Sequence, residues 1–221
     1  MLKPLAITLT QTQSSKRAMN SEPDLSKYAG IIFDLDGTLI NSMGAHDSAW
    51  QETAKAFNIP LDPSWVHQLG GMPSRKVALE IVKRYGLQLD PLRLSQDKVS
   101  RYEASAGQAD LNPQIYQILK NNVGLKKLAI GTGGQRKHAL VSLGSHDILR
   151  LIDTLVTSDD VTHHKPHPDT FLLAAARIGL AAEQCVVFED THIGQQAAHA
   201  AGMDCYRVVA GEVAGLYPCG S

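Results

Sequence analysis

An α/β fold, a doubly wound parallel sheet interrupted by an all-helical insertion, is what this sequence predicts, and three observations predict it. The run Ile31-Ile32-Phe33 ends in Asp34-Leu35-Asp36-Gly37-Thr38, the pattern of a strand buried on both faces that breaks into a loop. Residues from about 44 to 108 carry helical patterns and no convincing strand. From Asn112 onward, helix-like and strand-like runs alternate, as βαβ units require.

Residues 1–26 are rich in Ser, Thr, Gln and Lys without a sustained period, which reads as a flexible tail. The core is then expected over 27–43 and 109–221, with the helical insertion over 44–108. Within the insertion the pattern predicts helices over 45–57, 73–85 and 91–106; the second has Val77, Leu79, Ile81 and Val82 as its apolar set and Gly86 as its stop. Beyond it come helices over 113–122, 135–143, 168–178 and 193–201, and strands over 127–131, 154–157, 185–188 and 205–209. Four later strands thus join the first. Gly, Pro and Asn place hinges for the insertion near 41–44 and near 107–113.

A chain of 221 residues, 43% hydrophobic, can bury a sizeable core. Its net charge of −1 gives no global field for nucleic acid or an anionic membrane, so neither is expected as a partner. No stretch approaches the ~20 apolar residues of a membrane helix, the N-terminal apolar run is too short for a signal peptide, and a cytoplasmic location is expected. Cys185, Cys205 and Cys219 have no metal-type spacing and read as inert thiols. A monomer is expected, with a dimer as the alternative.

The chemistry lies at strand ends, where ligands of open α/β sheets bind. Asp34 and Asp36 follow the first strand, Thr132-Gly133-Gly134 the second, Lys165-Pro166-His167-Pro168 the third, and Glu189-Asp190-Thr191 the fourth. Each alone has an ordinary explanation: turn-forming Asp, a plain strand-to-helix turn, a solvated Lys, loop or cap carboxylates. Together they supply carboxylates, a hydroxyl, glycine amides and an ammonium, the groups phosphoryl transfer needs. His163 and His164 lack a third partner at metal-ligand spacing, and local packing or polarity near the phosphate is the preferred reading.

The motifs D-L-D-G-T, strand-T-G, H-K-P and F-E-D-T-x-I-G-x-Q-A-A resemble the four motifs of the haloacid dehalogenase-like superfamily, over residues from about 28 to 210. His46, Trp50 and the stretch from Gly70-Gly71 to Ala78-Leu79 resemble the cap of its β-phosphoglucomutase subgroup. The segment His163 to Leu173 is similar to bacterial fructose-1-phosphate and 6-phosphogluconate phosphatases. The resemblance implies a Rossmann-like core, a helical cap, Mg²⁺ as cofactor and a small sugar phosphate as substrate. It makes Asp34 the nucleophile and Asp36 the acid and then the base. Asp34, Asp190, Glu189 and the backbone carbonyl of Asp36 become the metal ligands, and Thr132, Gly133 and Lys165 hold the phosphoryl group. His46, Trp50 and Arg75 are the implied cap contacts to substrate, each with an ordinary packing or surface role as its alternative.

A halide needs no proton donor, so the second Asp of D-L-D argues for ester cleavage over dehalogenation. A mutase of the β-phosphoglucomutase type carries a cap-loop lysine, and Leu69-Gly70-Gly71-Met72 lacks one here, which favours a phosphatase. A non-catalytic aspartate phospho-acceptor module is the other alternative; it has no use for a helical lid of about sixty residues.

Overall fold

The computed structural model describes residues 22–105, 110–144 and 146–220. The expected tail lies outside the described residues up to 21, as do residues 106–109, which overlap the second hinge. Strands β1 (Gly30–Phe33), β2 (Lys127–Gly131), β3 (Thr154–Val156), β4 (Cys185–Glu189), β5 (Asp204–Val209) and β6 (Glu212–Tyr217) form one sheet in the order β3-β2-β1-β4-β5-β6. The first five run parallel. Five later strands therefore join β1, not four. β6 runs antiparallel to β5 at the edge, and as an exposed strand interrupted by Gly215 it has no continuous apolar run to announce it.

Alternation along β1 sorts its side chains into two cores. Ile31 and Phe33 join one apolar cluster with Leu128, Ile130, Val186 and Phe188, while Ile32 joins another with Ala129, Val187 and Cys205. Helix α5 (Pro113–Asn122) leads into β2, and α6 (Arg136–Gly144), α7 (Asp169–Arg177) and α8 (His192–Ala200) follow β2, β3 and β4 in turn, with Ile115 and Leu119 of α5 in the first cluster and Phe171 of α7 in the second. This is doubly wound packing, and it puts the ends of β1, β2 and β4 at one edge.

Between β1 and α5 the chain builds α1 (Met43–Ala56), α2 (Pro63–Gln68), α3 (Ser74–Arg84) and α4 (Pro91–Ser105). These enclose a third apolar cluster that includes Trp50, Val77, Ile81 and Leu94. Sequence patterning misses α2, because six residues are too few to show a period; Pro63 opens it and the Asp62 carboxylate accepts from Ser64 N and Trp65 N. Leu79, expected in the apolar set of its helix, is 52% exposed. The other bounds differ from expectation by a residue or two, as helix ends do. The two connections to this helical region run side by side: Asn41 N donates to the Asp110 carbonyl and Asn112 N to the Leu39 carbonyl. Cys185 and Cys205 are buried and Cys219 is exposed; all three are free. Among the described residues no helix is long and apolar enough to cross a membrane.

Candidate active site

Asp34 is the first residue beyond β1, and its N–H still donates to the Phe188 carbonyl, so the central strand fixes its backbone. Its side chain is 4% exposed and faces the fully buried Lys165, whose Nζ lies 2.6 Å from Asp34 Oδ1 and 2.7 Å from Glu189 Oε2. The second Glu189 oxygen accepts from Thr191 N and Thr191 Oγ1, and the same hydroxyl caps α8 by accepting from Gly194 N. One threonine therefore fixes both a carboxylate and a helix start. Asp190 accepts from Thr38 Oγ1 at 3.1 Å, and the Arg207 guanidinium donates to its carbonyl. Gly37, at φ +87°, lies so close to the Asp190 carboxylate that a Cβ would collide with it.

Ligand atoms of Asp34, Glu189 and Asp190 all lie within 4.8 Å of one another. Lys165 pairs with two of these three carboxylates, Asp34 and Glu189. Burial, followed by the Glu189 charge, pushes the Asp34 carboxyl up, to about 8. The same two causes raise Asp190 well above its ordinary value. Burial works to lower the Lys165 ammonium, but the Asp34 and Glu189 charges outweigh it and hold it above its usual range. A cluster so short of positive charge, with oxygen donors only, fits a hard divalent cation.

In front of Asp34 opens a cavity of about 1070 Å³ between the strand ends and the helical region. Its wall includes Asp34, Asp36, Thr132, Gly133, His46 and Lys98. Thr132 is held by N–H donation to the Val156 carbonyl, and its hydroxyl accepts from Gly134 N. A Cβ on Gly133 would strike the Gly71 carbonyl, so glycine is what lets the helical region close down here. Lys165, Glu189 and Asp190 stand behind Asp34, off the cavity wall, with Lys165 already engaged by two carboxylates.

Asp36 belongs to a second group. Its side chain is a quarter exposed and accepts from Ser42 Oγ at 2.6 Å; that hydroxyl, at the N-cap of α1, makes no cap bond to the helix. His46 Nε2 lies 3.3 Å from Asp36 Oδ1, while His46 Nδ1 lies 2.6 Å from Lys98 Nζ. An ammonium donating to Nδ1 leaves the proton of a neutral ring on Nε2, facing Asp36. Lys98 is 2% exposed, with its Nζ 4.8 Å from the Tyr102 ring centroid, and Tyr102 stacks on His46 at 4.0 Å. Burial works to raise Asp36, but His46, the Ser42 bond and Lys98 outweigh it and hold it down to about 2. Burial, then Lys98, lowers His46. Burial pulls Lys98 down to about 8 against the charges of Asp36 and Asp47.

The structure places the two further cap residues implied as substrate contacts, Trp50 and Arg75, differently. Trp50 touches the cavity but is 6% exposed within the apolar cluster of the helical region; Arg75 is exposed on the wall and forms no ion pair among the described residues. The loop Leu69-Gly70-Gly71-Met72 lacks a lysine, but Lys98, Arg75 and Lys76 of the helical region line the cavity. Sequence reasoning missed Lys98. Its signal was a lysine on the stripe Leu94, Lys98, Tyr102, at four-residue spacing among buried neighbours.

The family model described as haloacid dehalogenase-like hydrolase matches residues 31–208. The chain belongs to this family. It is similar to the fructose-1-phosphate phosphatase YqaB of Escherichia coli strain K12, at 36% identity over 182 residues, 82% of this chain and 97% of the relative. It is also similar to the β-phosphoglucomutase of Bacillus subtilis strain 168, at 29% identity over 185 residues, 78% of this chain and 80% of the relative. Among solved structures, a hydrolase from Pseudomonas syringae superposes with a TM-score of 0.75 at 31% identity, covering 83% of this chain and 85% of that one. The chain is thus an enzyme of this hydrolase family, with phosphatases among its relatives.

Proposed function

We propose that this haloacid dehalogenase-like enzyme is a Mg²⁺-dependent phosphatase of small sugar phosphates, working through an aspartyl-phosphate on Asp34. Fructose 1-phosphate and 6-phosphogluconate are the first substrates to test. The observation that carries the reading is Asp34 itself: a carboxylate on the cavity wall, pinned at Oδ1 by Lys165, with two further carboxylates behind it and Asp36 beside it.

Lys165 holds Oδ1, which leaves Oδ2 to attack phosphorus. The bond from phosphorus to the sugar oxygen breaks, and Asp36 gives that oxygen its proton. Water then attacks the phosphorus of the acyl phosphate, Asp36 takes a proton from it, and Asp34 leaves as a carboxylate. Asp36 is held near 2 by its neighbours, so it stands ionised, the form the base step starts from; a phosphate dianion arriving beside it favours the protonated form that the acid step requires. Thr132 and the Gly133 amide face the equatorial oxygens, where charge spreads as the bond breaks. Asp34, Glu189 and Asp190, with the Asp36 carbonyl by resemblance to the family, would hold Mg²⁺, which supplies charge neutralisation at the phosphoryl group. The helical region covers the cavity and excludes water while the sugar leaves.

The test is phosphate release from fructose 1-phosphate, 6-phosphogluconate and p-nitrophenyl phosphate, with and without Mg²⁺, for the wild type and Asp34→Asn. Sustained metal-dependent turnover that the substitution abolishes supports the reading. Absence of turnover on every phosphomonoester overturns it and favours a phospho-acceptor module. A β-phosphoglucomutase is the second reading, favoured by the cap-side cations Lys98, Arg75 and Lys76, which could hold a second phosphate. β-Glucose 1-phosphate with a trace of glucose 1,6-bisphosphate separates the two. Glucose 6-phosphate accumulating without free phosphate would establish the mutase.

A further inference from the structure

Asp34 and Asp36 are held in different ways. The Asp34 backbone is tied into the sheet, because its N–H donates to the Phe188 carbonyl. Asp36 lies beyond β1, at the head of a loop that turns through Gly37, at φ +87°, and Thr38. A group that gives and then takes a proton must sit within hydrogen-bond reach of the oxygen it serves, so that loop needs ties of its own.

Asn112 supplies two of them. It stands at the N-cap of α5, where Asn ordinarily accepts from the first helical N–H groups, yet its side chain makes no cap bond. Its Nδ2 donates instead to the Thr38 carbonyl at 2.6 Å and to the Gly37 carbonyl at 3.1 Å. Carbonyls only accept, so these two fix which way the amide points. On the other side a Cβ on Gly211, in the turn between β5 and β6, would collide with Asn112 Oδ1, and the closed-in side chain is 5% exposed. Ser42 mirrors this arrangement at the other connection to the helical region: it leaves α1 without a side-chain cap and donates to the Asp36 carboxylate. Both N-cap residues that flank the helical region therefore serve the Asp36 loop.

We propose that Asn112 is a positioning residue that fixes Asp36 for proton transfer by tying the start of α5 to the loop carrying Asp36. This rests on the phosphatase reading, in which Asp36 protonates the leaving sugar oxygen. Without the amide, the two carbonyls each lose a donor, the loop relaxes, and Asp36 moves off its line to that oxygen.

The experiment compares wild type, Asn112→Leu, Asn112→Ser and the control Gln114→Leu at saturating Mg²⁺, with rates per folded protein. The first turnover is followed by rapid quench on the sugar phosphate cleaved fastest and by stopped flow on p-nitrophenyl phosphate. p-Nitrophenolate is weakly basic and leaves without a proton, whereas a sugar alkoxide needs the acid. Asn112→Leu, close in volume but without a donor, should therefore slow the first turnover of the sugar phosphate about tenfold and that of p-nitrophenyl phosphate less than about twofold. Asn112→Ser, which keeps one donor, should show the same selective loss to a smaller degree, and it carries the test if the leucine variant does not fold. Gln114→Leu removes a bond from Val213 N on the same helix; it should lower the melting temperature and leave the ratio of the two rates unchanged. Equal loss on both esters overturns the proposal, because the fault would then lie at Asp34 or the metal. Wild-type rates on both esters, or the same selective loss in Gln114→Leu, overturn it too. If the wild type cleaves no phosphomonoester the parent reading has failed, whereas wild-type turnover with an unchanged ratio in the Asn112 variants defeats Asn112 alone.

Discussion

The two walls of the cavity are built in opposite ways. The core wall takes its groups from strand ends, Asp34 after β1 and Thr132 after β2, with Glu189 closing β4 behind them, each tied to backbone that belongs to the sheet. The opposite wall takes His46 from α1, Lys76 from α3 and Lys98 from α4, around an apolar cluster of its own. Several contacts join the walls among the described residues, the His46–Asp36 pair at 3.3 Å among them. Glu103 of α4 pairs with Lys137 and His138 of α6 at 2.9 and 2.8 Å, and the Gly71 carbonyl sits over Gly133. A sheet edge holds reacting groups to fractions of an ångström, which phosphoryl transfer needs. A helical wall held by exposed ion pairs opens at little cost, as exchange of substrate needs.

Substitutions that break this contrast should differ in size by wall. Asp34→Asn removes the attacking oxygen and should lower kcat by about 10⁴-fold or more, measured as phosphate release at saturating substrate. Lys165→Met leaves Asp34 and Glu189 buried without their cation, and denaturant unfolding should show a loss of about 3–5 kcal/mol. If stability is unchanged, the buried ammonium is not the tie between those carboxylates.

Metal should act on the core wall through pH. Asp34 rises from 3.8 unfolded to about 8 folded, so between those values the folded state binds more protons than the unfolded chain. Stability of the metal-free protein should therefore be greatest in mild acid and fall as pH rises toward about 8. Added Mg²⁺ should reverse that fall in thermal melts at the alkaline end and do little at the acid end. A melting temperature indifferent to both pH and Mg²⁺ would contradict the charge-starved cluster.

Effects on the helical wall should be smaller. Lys98→Met should lower kcat/KM about tenfold and remove an alkaline limb of the pH profile near 8, where the wild-type ammonium, pulled down to about 8, loses its proton. Glu103→Gln should change KM by about two- to threefold with kcat nearly constant. A larger loss in kcat there would mean that closure also aligns the reacting groups.

How much of this was legible in the sequence follows from where each residue sits. Strands β1 to β5 announce themselves because burial on two faces demands contiguous apolar residues, whereas β6, exposed at an edge, has no such demand. Asp34, Lys165, Glu189 and Asp190 lie where a buried strand or its connection turns polar, and that change is visible without coordinates. Lys98 and His46 differ. Lys98 looks like any helix lysine until α1 and α4 pack, and the role of Ser42 as partner of Asp36, in place of a helix cap, depends on a loop that only the fold brings round. Strand ends are read from local pattern; a helical wall is read from tertiary packing.

The central claim, that Asp34 carries the phosphoryl group, is tested most directly by acid-quenching a single turnover with Mg²⁺ and the preferred sugar phosphate, then mapping phosphorylated peptides by mass spectrometry. The account predicts one acyl phosphate, on Asp34, that is lost on reduction with borohydride and absent from Asp34→Asn. Turnover with no phosphorylated peptide, or phosphate on another residue, would contradict it.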